Sequence, residues 1–142
     1  MHEVTVTRDL PATADEIGRL IADTQSFMNA AGFDAVRVDG DTIRIQTRVG
    51  LFDADLVVEV VERADAVLAY EQRDGIFEAM DTVYRLDDGD GATRVTATTT
   101  FEAVDLPIVG KVLDTTVVKR QRSSELDTQF DWLEAQVSES SQ

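Results

Sequence analysis

The chain has 142 residues, a formal net charge of −15 and no cysteine. This is the length of one ordinary domain, which can bury a core without disulfides. The absence of cysteine excludes disulfides, thiolate metal sites and a cysteine nucleophile. The charge argues against nucleic acid and anionic membrane surfaces as partners.

The acidity comes with a scarcity of lysine. Eleven arginines stand beside two lysines, and eighteen aspartates beside ten glutamates. At an ionic strength of 1 M the Debye length falls to ~3 Å, so salt makes such a charge tolerable. We therefore predict adaptation to a salt-rich cytoplasm, with an ordinary acidic cytosolic protein as the alternative. The sequence shows neither a signal peptide nor a long apolar run, so we expect a cytoplasmic location.

The first elements are a strand and two short helices. Apolar residues alternate with polar ones over residues 3–8, which predicts a strand. Thr13 and Glu16 have the spacing of a capping box and predict the start of a helix. A second helical piece is predicted over residues 25–31, ended by Gly32.

Two further patterns fill the rest of the chain. From Phe33 to about Ala103 the apolar residues recur with a period of two, interrupted by turn signals, which predicts six more strands. After Pro107 the period becomes helical and predicts one long helix over 108–137, about 45 Å long at 1.5 Å per residue. We expect the polar tail, residues 138–142, to fray.

This order of elements predicts an α+β fold. Short, tightly turned strands favour a curved antiparallel sheet of about seven strands, in which the first strand pairs with the last. The long C-terminal helix then packs on the apolar face of the sheet. A bent sheet and a straight helix do not close tightly at both ends, so we expect an apolar ligand cavity between them. Without a repeat or a linker, residues 1–142 are predicted to form a single domain.

Several segments resemble a known superfamily. Residues 10–17 and 91–95 resemble the strand-to-helix opening and the turn into the last strand of START-like, birch-pollen-allergen-like proteins. This group, also called SRPBCC, includes polyketide cyclases and lipid-transport proteins, and the resemblance implies the helix-grip fold. Residues 49–52 and 130–133 are similar to the carbon monoxide dehydrogenase G-like branch of the superfamily.

The sequence contains little that indicates catalysis. His2 is the single histidine, and we interpret it as a solvated residue at the end of a strand. Aspartates cluster at residues 53–55 and 87–90, where acidic turns are expected rather than a calcium site. We therefore predict neither a metal nor a cofactor, and no catalytic residue is assigned.

A set of residues is predicted to line the cavity. On the sheet and the helix these are Thr47, Leu56, Val58, Tyr70, Met80, Thr82, Tyr84, Thr99, Phe101, Leu113, Thr116 and Arg120. Arg120 belongs to a polar interruption of the predicted inner helix face, and its guanidinium suits a ligand carboxylate or phosphate. The alternatives are that its stem packs while its head reaches solvent, or that it pairs with an inward acid such as Glu78 or Asp81.

Three hypotheses for function follow. The resemblance implies binding or transport of a hydrophobic small molecule, such as a lipid, a quinone or a polyketide-like ring, and the lack of a catalytic constellation favours this over an enzyme. A cyclase or aromatase that shapes a flexible substrate is the second hypothesis. An accessory role for a membrane-associated oxidoreductase is the third. A monomer or a small homo-oligomer is compatible with all three.

Overall fold

The computed structural model describes residues 2–49, 52–102 and 115–140. The predicted order of elements is confirmed within these residues. The elements are β1 (His2–Leu10), α1 (Ala14–Ala22), α2 (Thr24–Asn29), β2 (Ala35–Asp39), β3 (Thr42–Val49), β4 (Phe52–Val60), β5 (Ala66–Asp74), β6 (Met80–Asp88), β7 (Thr93–Phe101) and α3 (Thr115–Ser140).

The seven strands form one antiparallel sheet in the order β1-β7-β6-β5-β4-β3-β2. Strands β2 to β7 form a meander, and β1 joins its far edge by pairing with β7 from His2 opposite Phe101 to Leu10 opposite Thr93. The predicted pairing of the first and last strands is therefore confirmed. Register shifts interrupt the β4–β5 and β5–β6 ladders, and such bulges bend a sheet.

Local chemistry fixes the two short helices. The hydroxyl of Thr13 accepts a hydrogen bond from the backbone N–H of Glu16 at 3.2 Å, as the capping-box spacing predicts. The carboxylate of Asp23 accepts from the N–H of Ser26 at 3.4 Å and begins α2. Gly32 follows α2 with a φ of 88°, a conformation that glycine adopts without a steric penalty.

The core lies between the concave face of the sheet and the three helices. Alternate residues of the strands face it, as in β7, where every second residue from Thr93 to Phe101 is buried. Phe27 and Met28 of α2 are fully buried in this core. Burying a side chain of this size stabilises a fold by about 1.5–3 kcal/mol.

Helix α3 contacts the core through two ladders of residues. Leu126, Phe130, Leu133 and Val137 form the C-terminal ladder, which is apolar and buried. Val118, Arg122, Glu125 and Gln129 form the N-terminal ladder, which is mostly polar and also turned inward. At 3.6 residues per turn the two ladders are rotated by roughly 80° about the helix axis. Different sides of α3 therefore face the curved sheet along its length.

None of the helices in the described ranges is long and apolar enough to cross a membrane.

Candidate functional site

A cavity of about 50 Å³ lies between the sheet and the N-terminal ladder of α3. This volume holds a few water molecules, and it is smaller than the roughly 300–1,000 Å³ of a typical ligand pocket. Its described lining is mainly apolar, with a polar group of side chains where α3 passes. The lining residues are Phe33, Ile45, Thr47, Leu56, Tyr70, Phe77, Met80, Thr99, Phe101, Val118, Gln121, Arg122 and Glu125.

The guanidinium of Arg122 is the centre of the polar group. Its Nη1 donates to Oε1 of Glu125 at 3.0 Å, and its Nε donates to the hydroxyl of Thr99 at 2.9 Å. Its Nη2 donates to the hydroxyls of Tyr70 and, at 3.2 Å, of Thr82. The Arg122 side chain is only 11% exposed, and that of Glu125 is 14% exposed. Three strands and one helical turn thus hold a single cation against the cavity wall.

The charge of this cation is stable. Burial by itself would lower the pKa of Arg122, but the oxygens of Tyr70 and Tyr84 and the carboxylate of Glu125 raise it above its ordinary value. Arg122 is therefore protonated at any pH at which the protein folds. A charged donor in an apolar wall orients ligands through hydrogen bonds that are stronger than those between neutral groups.

A second polar chain lies deeper in the core. The hydroxyl of Tyr84 donates to Oε1 of Gln129 at 2.6 Å, and Nε2 of Gln129 donates to the backbone oxygen of Phe27 at 3.1 Å. Burial raises the pKa of the Tyr84 hydroxyl well above its ordinary value, with a further contribution from Tyr70. This chain joins β6, α3 and α2 behind the cavity.

An outer groove of about 440 Å³ adjoins the cavity on the solvent side. The groove and the cavity share Thr47, Gln121 and Glu125 in their linings. Gln121 lies between the two spaces, and its Nε2 donates to the backbone oxygen of Arg48 and to Glu125. The remaining residues around the groove are Ala31, Gly32, Asp34, Arg48, Val117, Arg120 and Ser124.

Of the sheet residues predicted to line the cavity, six do so and three lie in the buried core outside its lining. The residues that line the cavity are Thr47, Leu56, Tyr70, Met80, Thr99 and Phe101. The remaining three, Val58, Thr82 and Tyr84, are fully buried and lie outside the cavity lining. Thr82 still contributes to the site, because its hydroxyl binds both Arg122 and Thr99.

The predicted helix residues are not among the described lining of the cavity. Thr116 and Arg120 are exposed, and Arg120 borders the outer groove instead of the cavity. Leu113 lies outside the described residues. The prediction extended the apolar C-terminal ladder of α3 toward the N-terminus, whereas the helix turns a different and polar side to the sheet there. Arg122 takes the inner position expected of Arg120, and its carboxylate partner is Glu125 rather than Glu78 or Asp81.

Sequence reasoning missed Arg122, Glu125 and Gln129 because hydrophobic periodicity registers only apolar ladders. The available signal was their spacing: together with Val118 they follow one another at intervals of four, three and four residues, which places them on one side of a helix.

The acidic clusters and His2 lie elsewhere. His2 pairs with Phe101 across the edge of the sheet, and their ring centroids are 5.2 Å apart. Within the described part of the chain, no group of three or more histidine or acidic residues is arranged to hold a metal ion.

Comparison with known families identifies the group. The family model described as polyketide cyclase/dehydrase and lipid transport matches residues 1–138. The chain belongs to this family. No curated protein matches the chain.

Solved structures agree with this family assignment at the level of the fold. A protein from Thermus thermophilus is 20% identical, with a TM-score of 0.79 over 99% of this chain and 100% of its own. A START superfamily protein from Mycobacterium smegmatis is 19% identical, with a TM-score of 0.70 over 98% of this chain and 99% of its own. The Zhui aromatase/cyclase from Streptomyces is 18% identical, with a TM-score of 0.70 over 96% of this chain and 95% of its own. The predicted helix-grip fold of the START-like superfamily is thereby confirmed. None of these comparisons bears on the carbon monoxide dehydrogenase G-like branch.

Proposed function

We propose that this protein binds a small hydrophobic molecule between the sheet and α3. The observation that carries the proposal is the cavity, in which an apolar lining meets Arg122, a largely buried cation and the one cation among the described lining residues. An apolar space with a few placed polar groups is the usual form of a small-molecule site. Membership of a family of cyclases and lipid-transport proteins supports the same function.

The ligand that we propose extends from the cavity into the outer groove. The cavity alone is too small for a ring system, but the groove adds about 440 Å³ beside it. Gln121 lies between the two spaces, where its side chain donates to the backbone oxygen of Arg48 on β3 and to Glu125 on α3. A rotamer change of Gln121 would break these hydrogen bonds and widen the passage between the two spaces. The proposed path of entry therefore passes Gln121.

Filling the cavity tests this proposal. Val118 is 4% exposed and lines the cavity, so Val118→Phe should occupy most of it. We expect at least a tenfold loss of affinity for 2-acetonaphthone, a neutral aromatic ketone, in isothermal titration calorimetry. Val83→Phe is the matched control, because Val83 is only partly buried and points to the outer face of β6. Equal affinity in the two variants would contradict the proposed site, and so would failure of the wild-type protein to bind the ketone.

A cyclase-like enzyme is the second candidate, and one contact favours it. The hydroxyl of Tyr70 accepts a hydrogen bond from Arg122 at the cavity wall, which holds in place a side chain of a type that can transfer protons in catalysis. Loss of turnover in Tyr70→Phe with binding retained would distinguish catalysis from simple binding.

The accessory role has less support. It would require an exposed apolar strip near the C-terminus, whereas Trp132 is half-buried with its ring centroid 6.3 Å from that of Phe27. Among the described residues, Val117 is the only exposed large hydrophobic side chain.

Location, partners and domain organisation complete the proposal. We propose that the protein is cytoplasmic. We also propose that it has no nucleic acid partners, because a net charge of −15 repels polyanions. We also treat the chain as one domain, in line with a family match over residues 1–138.

A further inference from the structure

We infer that the site selects a neutral ligand that carries a carbonyl or hydroxyl oxygen, and that it discriminates against carboxylates of the same shape. This inference rests on the proposed function and specifies its ligand class. It follows from the charges and hydrogen bonds that surround Arg122.

The charges of the described cavity lining cancel. Arg122 and Glu125 are the only charged residues among its described members, and they bind each other at 3.0 Å. Both side chains are largely withdrawn from solvent, so bulk salt screens them weakly. A ligand carboxylate would be a second anion beside one cation, and its lost hydration would have no compensating charge.

The geometry of the guanidinium leads to the same conclusion. A guanidinium has five N–H donors and binds a carboxylate best through two of them at once. Within the described residues, four of these donors already have acceptors on Glu125, Thr99, Tyr70 and Thr82. A ligand carboxylate would therefore have to displace Glu125 or the strand hydroxyls.

A single neutral oxygen has a simpler fit. Counting only acceptors in the described part of the chain, one N–H of Arg122 remains for a ligand oxygen. A ketone, quinone or phenol oxygen needs one or two such donors and no counter-charge. The polar wall thus suits an uncharged oxygen at one end of an apolar molecule.

A matched pair of probes tests this inference. The probes are 2-acetonaphthone and 2-naphthoate, which share a ring system and differ in charge. Titrations at neutral pH in 1 M NaCl screen the net charge of the protein, since the Debye length is then ~3 Å. We expect wild-type protein to bind the ketone at least tenfold more tightly than the carboxylate.

The variant Glu125→Gln should change the ratio of the affinities for the two probes. It keeps an oxygen for Arg122 but leaves the cation uncompensated, so the affinity for 2-naphthoate should rise at least tenfold relative to that for the ketone. Glu134→Gln is the control: it makes the same change in net charge on the exposed side of the same helix, and it should leave the ratio unchanged. Circular dichroism establishes that both variants are folded.

Each result is decisive. Equal binding of the two probes by wild-type protein would overturn the inference while leaving the proposed function intact, and this comparison needs no variant. An equal shift in both variants would also overturn it, since net charge would then explain the selectivity. Failure of wild-type protein to bind either probe would contradict the proposed function itself.

Discussion

Arg122 connects helix α3 to three strands at the proposed site. It forms an ion pair with Glu125 and hydrogen bonds to three strands, with 11% of its side chain exposed. Such a buried polar group contributes little to the net free energy of unfolding while all its partners are present. Removing one partner is costly, because the others are then left unpaired in the interior.

The first prediction concerns the loss of this cation. Arg122→Met should lower the free energy of unfolding by about 2–4 kcal/mol, because the carboxylate of Glu125 loses its partner in a largely buried position. The double variant with Glu125→Met should recover a substantial part of this loss. Urea unfolding at neutral pH measures both. A loss under about 1 kcal/mol in the single variant would show that Glu125 is adequately solvated without Arg122.

The second prediction concerns Tyr84, one of two tyrosines. Burial raises the pKa of its hydroxyl in the folded protein, so its contribution to stability is present below about pH 10, the ordinary tyrosine value, and is lost as pH rises toward the folded value. Absorbance titration should show incomplete tyrosine ionisation before alkaline unfolding. Tyr84→Phe should reduce the late component and make the free energy of unfolding less dependent on pH above pH 10. Ionisation of Tyr84 near pH 10 in the folded protein would contradict its burial.

Some residues of the candidate site could be predicted from the sequence, and others could not. The sheet residues, such as Thr47 and Tyr70, were predictable because a strand turns alternate side chains to one face. Arg122 was not predictable in this way, because its position depends on how α3 crosses a curved sheet. Lys119 and Arg120 are cations on the same stretch of this helix, and only tertiary packing distinguishes them from Arg122.

At the scale of elements, the contact between β1 and α3 is an ionic one. Arg8 on β1 forms salt bridges to Asp127, Asp131 and Glu134 on α3, at 2.9, 2.6 and 3.4 Å. These interactions raise the pKa of Arg8 despite a partial burial that acts to lower it. The cation lies 6.0 Å from the centroid of the Phe130 ring, at the distance of a cation–π contact. One cation therefore fixes the C-terminal half of α3 against the edge of the sheet.

The third prediction tests this connection. Arg8→Met should destabilise the protein by about 1–2 kcal/mol, because three carboxylates remain on one side of a helix without their cation. The loss should be largest at low salt, where the carboxylates repel most strongly. Arg94→Met is the control, since its salt bridge to Asp9 is exposed and lies within the sheet. Thermal unfolding of the two variants at several NaCl concentrations measures the difference. Equal losses would refute a special role for Arg8.

The elements themselves were largely predictable. The change of period near Pro107 distinguished the meander from the long helix, and turn signals separated the strands. The rotation between the two ladders of α3 was not predictable, because the bulges in β4–β5 and β5–β6 that bend the sheet leave no clear signal in single strands.

At the scale of the whole molecule, net charge is the dominant feature. With a net charge of −15 on 142 residues, the carboxylates repel one another throughout the fold. The described salt bridges are mostly exposed. In the pair of Arg48 and Asp53, for example, the side chains are 67% and 85% exposed, and such pairs offset little of this repulsion. Stability should therefore depend on dissolved ions.

The fourth prediction follows from this charge. The midpoint of urea unfolding should rise between 10 mM and 2 M NaCl, because screening weakens the repulsion among carboxylates. Chloride is the suitable anion, since sulfate also strengthens apolar burial by exclusion from the protein surface. An unchanged midpoint and an unchanged circular dichroism spectrum at 10 mM NaCl would contradict adaptation to a salt-rich cytoplasm.

A crystal structure of the protein with 2-acetonaphthone tests the central claim most directly. We predict that the naphthyl ring lies between the sheet and α3, with Gln121 displaced and the ketone oxygen within hydrogen-bond distance of Arg122 or Tyr70. A ligand bound only at the outer surface, with the Arg122 hydrogen bonds and the cavity unchanged, would contradict the proposed site.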